Sequence, residues 1–282
     1  MLIKKITEFA LFSSIFIACC AVALAIETNL LLRTPLNNLS FYFFVFGATM
    51  VQYNLHYLVK TSAVKNSRRL AWSLQNKAVH KILFAAGCFL IIISLFSFRL
   101  QHFFILLVLG AIALLYSFPA LPFAKGKRIK DFGFLKILTL ALLWTLVTVW
   151  FPVSDMAVNS ISFLFVFGKR FTFMFVLCLL FDMRDIEIDR HENIKTLAVI
   201  LGKKKSYFTA YAGLLLFLLI CLFQYFYWGD TGLFIAMCIS AAATLLTVEF
   251  TKKTNSDFVY LAGIDGMMLL QALLVYLLAL KL

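Results

Sequence analysis

The sequence predicts an all-α membrane protein, a single bundle of nine transmembrane helices over residues 1–282 with its N-terminus in the cytoplasm. Three observations predict it. Of the 282 residues, 63% are hydrophobic and the mean hydropathy is +0.96, far too apolar for a water-soluble domain of ordinary composition. Apolar windows of about 20 residues, the length that crosses ~30 Å of hydrocarbon, recur along the whole chain. Lysine and arginine crowd one side of the alternation. Lys4 and Lys5, six residues between Lys60 and Lys81, four between Lys125 and Lys130, six between Arg184 and Lys205, and Lys252 with Lys253 share that side, against Arg33, Arg99 and Lys281 on the other. Loops rich in Lys and Arg stay in the cytoplasm, which fixes the orientation.

The windows fall at about 8–27, 39–59, 82–98, 102–118, 134–153, 160–181, 207–227, 232–250 and 258–280. The first is uncharged between Glu8 and Glu27 and reads as packing; Thr34-Pro35 and Asn37-Asn38 mark the outer loop after it. The second ends in a polar, aromatic patch, where Tyr53, His56, Tyr57 and Lys60 share an arc of roughly 100°. The third and fourth form a tight hairpin through Arg99, and Pro119 and Pro122 stop the fourth, leaving the hydroxyls of Tyr116 and Ser117 near the inner surface. Lys125, Lys127, Arg128 and Lys130 follow, placed to reach phosphate oxygens or lipid headgroups.

The fifth window is apolar beyond Lys136, with Thr139, Thr145 and Thr148 suited to helix packing. The sixth carries Lys169 and Arg170 inside an apolar run, so these either pair in the bundle interior or snorkel to the outer interface. Tyr227-Trp228-Gly229-Asp230 makes an outer turn between the seventh and eighth windows, and the ninth holds Asp265 well inside its apolar run.

The net charge of +13 belongs mostly to the inner face, where it meets anionic headgroups. No soluble basic domain exists to bind nucleic acid. The six cysteines lie within the predicted spans without metal-ligand spacing and read as small core residues.

The chemistry centres on Phe181–Gly202, FDMRDIEIDRHENIKTLAVILG. Asp182, Asp185 and Asp189 are spaced i, i+3, i+7, so on one continuous helix they fall within roughly 60° of one another, while Arg184 and Glu187 point elsewhere. Two readings fit this spacing. Hard divalent ions take carboxylate oxygens, and Mg²⁺ is usually held by one or two carboxylates together with substrate phosphate oxygens. Alternatively, the segment is a juxtamembrane helix that balances nearby basic residues.

This segment, with Asn193, Ile194, Lys195, Thr196, Leu197 and Gly202 after it, resembles the second aspartate motif of the UbiA-type intramembrane prenyltransferase superfamily. Tyr116-Ser117-Phe118-Pro119 with its basic tail, and Asp265-Gly266, fit the same resemblance in order, over nearly the whole chain. The sequence departs from the family at its first motif, Asn-Asp-x-x-Asp-x-x-x-Asp: Asn54 stands for the asparagine, but Leu55, Leu58 and Ser62 occupy the aspartate positions. Arg68 and Arg69 resemble the basic stretch that follows that motif.

The resemblance implies Mg²⁺-dependent transfer of a prenyl group from a polyprenyl diphosphate to an aromatic or other lipophilic acceptor, in a bacterial inner membrane with the site facing the cytoplasm. It implies that Asp182, Asp185 and Asp189 bind the metal and so the diphosphate, that Lys195 points back toward them, and that Asp265 orients them. Asn54, His56, Lys60, Arg68, Tyr116, Ser117, Lys125 and Arg128 complete the expected substrate set. His56, Lys60, Arg68 or Arg69 either replaces one metal ion as a fixed cation or belongs to an interfacial aromatic and basic belt. The competing function is a catalytically silent relative that binds an isoprenoid or quinone-like lipid. A transporter fits less well, since no broken helices recur in corresponding positions. Acceptor, prenyl length, metal number and oligomeric state are not legible.

Overall fold

A computed structural model describes residues 2–59, 68–117, 133–191 and 193–280, with side chains from residue 5 onward and excluding that of Ser117. All regular structure among the described residues is helical: α1 (Leu2–Phe12), α2 (Ile15–Leu31), α3 (Leu39–Val59), α4 (Arg68–Gln75), α5 (Lys77–Leu95), α6 (Leu100–Ser117), α7 (Gly133–Thr145), α8 (Ser160–Arg184), α9 (Ile186–His191), α10 (Leu197–Trp228), α11 (Thr231–Thr251) and α12 (Asp265–Ala279). A π turn (Leu146–Trp150) and a 3₁₀ turn (Phe151–Val153) extend α7, and another π turn (Val259–Ile264) leads into α12. The predicted windows overlap these helices, the first falling across both α1 and α2, but by length and apolarity fewer than nine of the described helices qualify as spans. Among the described residues, six helices are long and apolar enough to cross a membrane, and α1–α2 make a seventh if counted as one span bent by 65°. The chain is therefore an integral, multi-pass membrane protein.

The first window is thus not one straight helix. Ser14, at φ 69°, breaks it into α1 and α2. The bend is held by polar groups from elsewhere: Asn54 Nδ2 donates to the Ser13 carbonyl (3.3 Å) and Arg69 Nη2 to Ser14 Oγ (3.1 Å).

Helix ends follow local chemistry. Asn159 accepts from the amides of Ile161 and Ser162 (both 3.0 Å) to start α8, and Asp230 accepts from Leu233 (2.9 Å) to start α11. Gly229, at φ 71°, closes α10. Contacts run round a ring: α2 with α12, α12 with α11, α11 with α10, α10 with α8, α8 with α7, and the π turn of α7 back onto α2. Thr28 Oγ1 fastens that last contact by donating to the Thr148 carbonyl (2.6 Å). Outside α2, α3 packs on α5 with backbones nearly touching, since a Cβ on Gly47 would lie 2.8 Å from the Gly87 oxygen. Helix α8 is the most enclosed, with Val166, Phe173, Val176 and Leu179 fully buried.

Lys169 and Arg170 pair in the interior rather than snorkel. Arg170 Nη2 lies 2.9 Å from Glu27 Oε2 on α2, and Lys169 Nζ donates to Gln224 Oε1 on α10 (2.9 Å). Glu27, Lys169 and Arg170 are all buried.

Candidate functional site

The end of α8 is where the sequence predicts one continuous acidic face, and the structure corrects that expectation. The helix stops at Asp185 (φ −91°, ψ 7°), and the six-residue α9 starts afresh. Asn193 then takes φ 56°, the left-handed conformation asparagine tolerates, and Thr196 caps α10 by accepting from the Val199 amide (3.4 Å). The helix is interrupted at Asp185, and the three carboxylates have different surroundings. Asp182 and Asp189 turn inward and are buried, whereas Asp185 is taken by Arg184 Nε (2.7 Å) and Nη2 (3.0 Å).

Asp182 and Asp189 converge on Lys136. Its Nζ lies 2.8 Å from Asp182 Oδ1 and 3.7 Å from Asp189 Oδ2. What aims it is the start of α7, which docks on the corner after α9: a Cβ on Gly133 would fall 1.3 Å from the Lys195 oxygen and 2.9 Å from the Thr196 nitrogen. Only glycine permits that approach. One turn further on, Lys136 reaches the acids. Lys195 itself is exposed, and it is its carbonyl that meets α7.

A second cation lies alongside. Arg184 Nη1 is 3.6 Å from Asp257 Oδ1, and its guanidinium lies over the rings of Phe181 (5.3 Å) and Tyr260 (5.2 Å). Asp257 Oδ2 in turn accepts the backbone N–H of Arg69 (2.9 Å), which ties α4 to the site. The Arg69 guanidinium covers Tyr57 at 4.8 Å. Asp265 is buried just after the π turn, within electrostatic reach of Arg69 and Arg184. A π turn inserts a residue into the helical register and is common at functional sites.

The first-motif region is arranged differently. Asn54 is fully buried, its Nδ2 on the Met50 carbonyl (2.8 Å) and its Oδ1 against His80 Nδ1 (2.6 Å). His80 stacks on Tyr57 at 5.3 Å and meets Trp72 edge-on at 5.7 Å. Asn54 therefore braces helices. His56 is exposed beside Tyr57, and Arg68 pairs with Glu8 (2.9 Å), away from the acids. Tyr116 is half-buried near the end of α6, within electrostatic reach of Lys136. Ser117 ends that helix. Lys60, Lys125 and Arg128 lie outside the described residues.

Sequence reasoning missed Lys136, Asp257 and His80, and placed Arg184 off the acidic face. Lys136 did leave a signal, as the one charge in the first turn of an otherwise apolar span. Chemically, two carboxylates meeting at one cation form a hard oxygen set of the kind Mg²⁺ takes. Asp182 Oδ2 is buried without a hydrogen-bond partner among the described residues, so it has an oxygen to offer. No group of three or more His, Cys, Asp or Glu among those residues is arranged to hold a metal.

The fold has solved counterparts. A UbiA homologue from Archaeoglobus fulgidus bound to Cd²⁺ superposes with a TM-score of 0.64 at 13% identity, over 98% of this chain and 99% of that one. The same homologue bound to DMAPP and Mg²⁺ gives 0.61 at 12%, over 98% and 99%. An apo UbiA homologue from Aeropyrum pernix K1 gives 0.57 at 16%, over 92% and 94%. Among curated proteins, none matches the chain. The sequence profile of the UbiA prenyltransferase family matches residues 64–263, a stretch that takes in Arg69, Lys136, the broken acidic helix and Asp257, and the chain belongs to that family.

Proposed function

We propose that this chain is a Mg²⁺-dependent intramembrane prenyltransferase that moves a polyprenyl group from its diphosphate to an aromatic or other lipophilic acceptor. It would work as one nine-span domain of a bacterial inner membrane, with its N-terminus and site on the cytoplasmic side. The observation that carries the reading is the meeting of Asp182 and Asp189 at Lys136, with Asp182 Oδ2 buried and without a hydrogen-bond partner among the described residues. Family membership supports the reaction class, and the likeness to homologues holding DMAPP or GPP with Mg²⁺ supports the donor.

In this reading Asp182 and Asp189 hold the ion, with Asp185 held beside them by Arg184. An Mg²⁺ ion held by these carboxylates would supply positive charge to a diphosphate leaving group. Lys136 and Arg184 would contribute positive charge to the same diphosphate. Asp265 and Asp257 orient Arg69 and Arg184. The rings of Phe181, Tyr260 and Tyr57 exclude water and present π faces to the allylic cation that forms. Tyr116, Ser117 and the basic residues Lys60, Arg68, Lys125, Arg128 and Lys195 are proposed contacts of the diphosphate and its approach.

A second reading has its own support. Leu55, Leu58 and Ser62 replace the first-motif carboxylates, and Asn54 is committed to His80, which suits a relative that binds an isoprenoid without turning it over. One experiment tests the diphosphate site: binding of a non-hydrolysable prenyl diphosphate analogue with and without Mg²⁺, in wild type and Asp182→Asn. Mg²⁺-dependent binding lost in the variant supports the site, and acceptor turnover then separates the two readings. No binding under either condition refutes the prenyl diphosphate reading.

A further inference from the structure

We infer that Lys136 is a resident substitute for one divalent cation, so that the diphosphate site loads with a single metal ion while the lysine ammonium supplies the remaining positive charge. The inference rests on the prenyl diphosphate reading above and specifies how that site is built in this chain.

Three observations lead to it. The ammonium of Lys136 lies between two acids seven residues apart in sequence, 2.8 Å from one and 3.7 Å from the other, so a fixed positive charge already stands beside the carboxylate oxygen that Asp182 leaves free. It is held there by design of the backbone, because Gly133 seats the first turn of α7 against the Lys195–Thr196 peptide with no space for a side chain. The positions where a second carboxylate set would stand carry Leu55, Leu58 and Ser62, which offer no anionic ligand for another ion.

Among the described residues, Arg184 is taken up by Asp185 and Asp257, which leaves Lys136 as the cation that Asp182 and Asp189 share. An ammonium has three donors and no acceptor, which suits it to bridge two carboxylates and a phosphate oxygen at once.

The test counts ions and weighs ligand together. Mn²⁺ binding is followed by electron paramagnetic resonance, with a thio-substituted geranyl diphosphate as ligand, in wild type, Lys136→Met and Lys136→Arg. The expected result is one Mn²⁺ per protein–analogue complex in wild type. At saturating Mn²⁺, Lys136→Met should bind the analogue at least tenfold more weakly, and Lys136→Arg should recover most of that loss. Two or more ions per complex in wild type, or unchanged analogue affinity in Lys136→Met, overturns the inference while leaving the diphosphate site intact. If wild type shows no Mn²⁺-dependent analogue binding, the diphosphate reading itself falls, and this inference with it. Should Lys136→Met fail to fold, the wild-type ion count alone decides.

Discussion

Gly133→Ala is the perturbation that best separates a positioned lysine from an incidental one. The added Cβ would sit 1.3 Å from the Lys195 oxygen and 2.2 Å from its carbonyl carbon, against ordinary contact from 3.4 Å upward. The neighbouring atoms are backbone, so no side chain can swing away. Relief requires the first turn of α7 and the Lys195–Thr196 corner to separate by about 2 Å. Lys136 is on that turn, and a shift of this size carries its Nζ beyond ion-pair distance of Asp182, now at 2.8 Å. Overpacking of this kind costs about 1–3 kcal/mol. Unfolding of the purified protein in detergent should report that loss, and Mg²⁺-dependent analogue binding should weaken about tenfold or more, since a lysine 2 Å out of place no longer bridges both acids. Gly168→Ala is the control: its Cβ would meet only Ile220 Cδ1 at 3.6 Å, so stability should hold or rise by up to ~1 kcal/mol from helix propensity. Unchanged stability and unchanged affinity in Gly133→Ala would refute the argument that the glycine contact aims Lys136.

Three further outcomes follow from the same geometry. Asp182→Asn should weaken metal-dependent analogue binding at least tenfold, and Asp185→Asn should do so less, because Asp185 is already held by two bonds from Arg184; isothermal titration of the two variants compares them, and equal losses would contradict the division of labour. Asn54→Leu strands His80 and the Ser13 carbonyl, costing about 1–3 kcal/mol in unfolding measurements with analogue affinity unchanged, whereas a direct substrate contact would show as lost affinity. Arg170→Met leaves Glu27 as an uncompensated buried charge and should cost about 3–5 kcal/mol, while Arg170→Met combined with Glu27→Leu should recover much of it; additive losses would show that the pair is not coupled.

The helices were legible because apolar windows, Pro stops and cap residues are local. Asn193 could be read as a helix end from its own tolerance of positive φ, and it is one. The acidic face was legible only in part. Spacing arguments assume a straight axis, and nothing in Asp182–Asp189 announces that the helix stops at Asp185. The break follows from tertiary demands, with Arg184 drawn to Asp185 and Asp257 and the corner after α9 receiving Gly133. The bend at Ser14 escaped notice for the same reason, since its polar groups are satisfied by Asn54 and Arg69, some 40 and 55 residues away. Lys136 reads as an ordinary boundary lysine until its partners, more than 45 residues downstream, are placed beside it.

The buried pair between Glu27 and Arg170 has a consequence for how the chain is made. The partners are 143 residues apart in sequence, so α2 is synthesised long before α8. During that interval its carboxylate has no guanidinium to meet, and a lone charge in the lipid phase is costly. The interior seat of Glu27 is therefore complete only once α8 has been made. A chain cut after α7 should be cleared rapidly by membrane proteases, and Glu27→Gln should lengthen its life; pulse-chase of the two truncated forms measures this directly. The pair thus ties the seating of the N-terminal helices to the half of the chain that carries the acidic site.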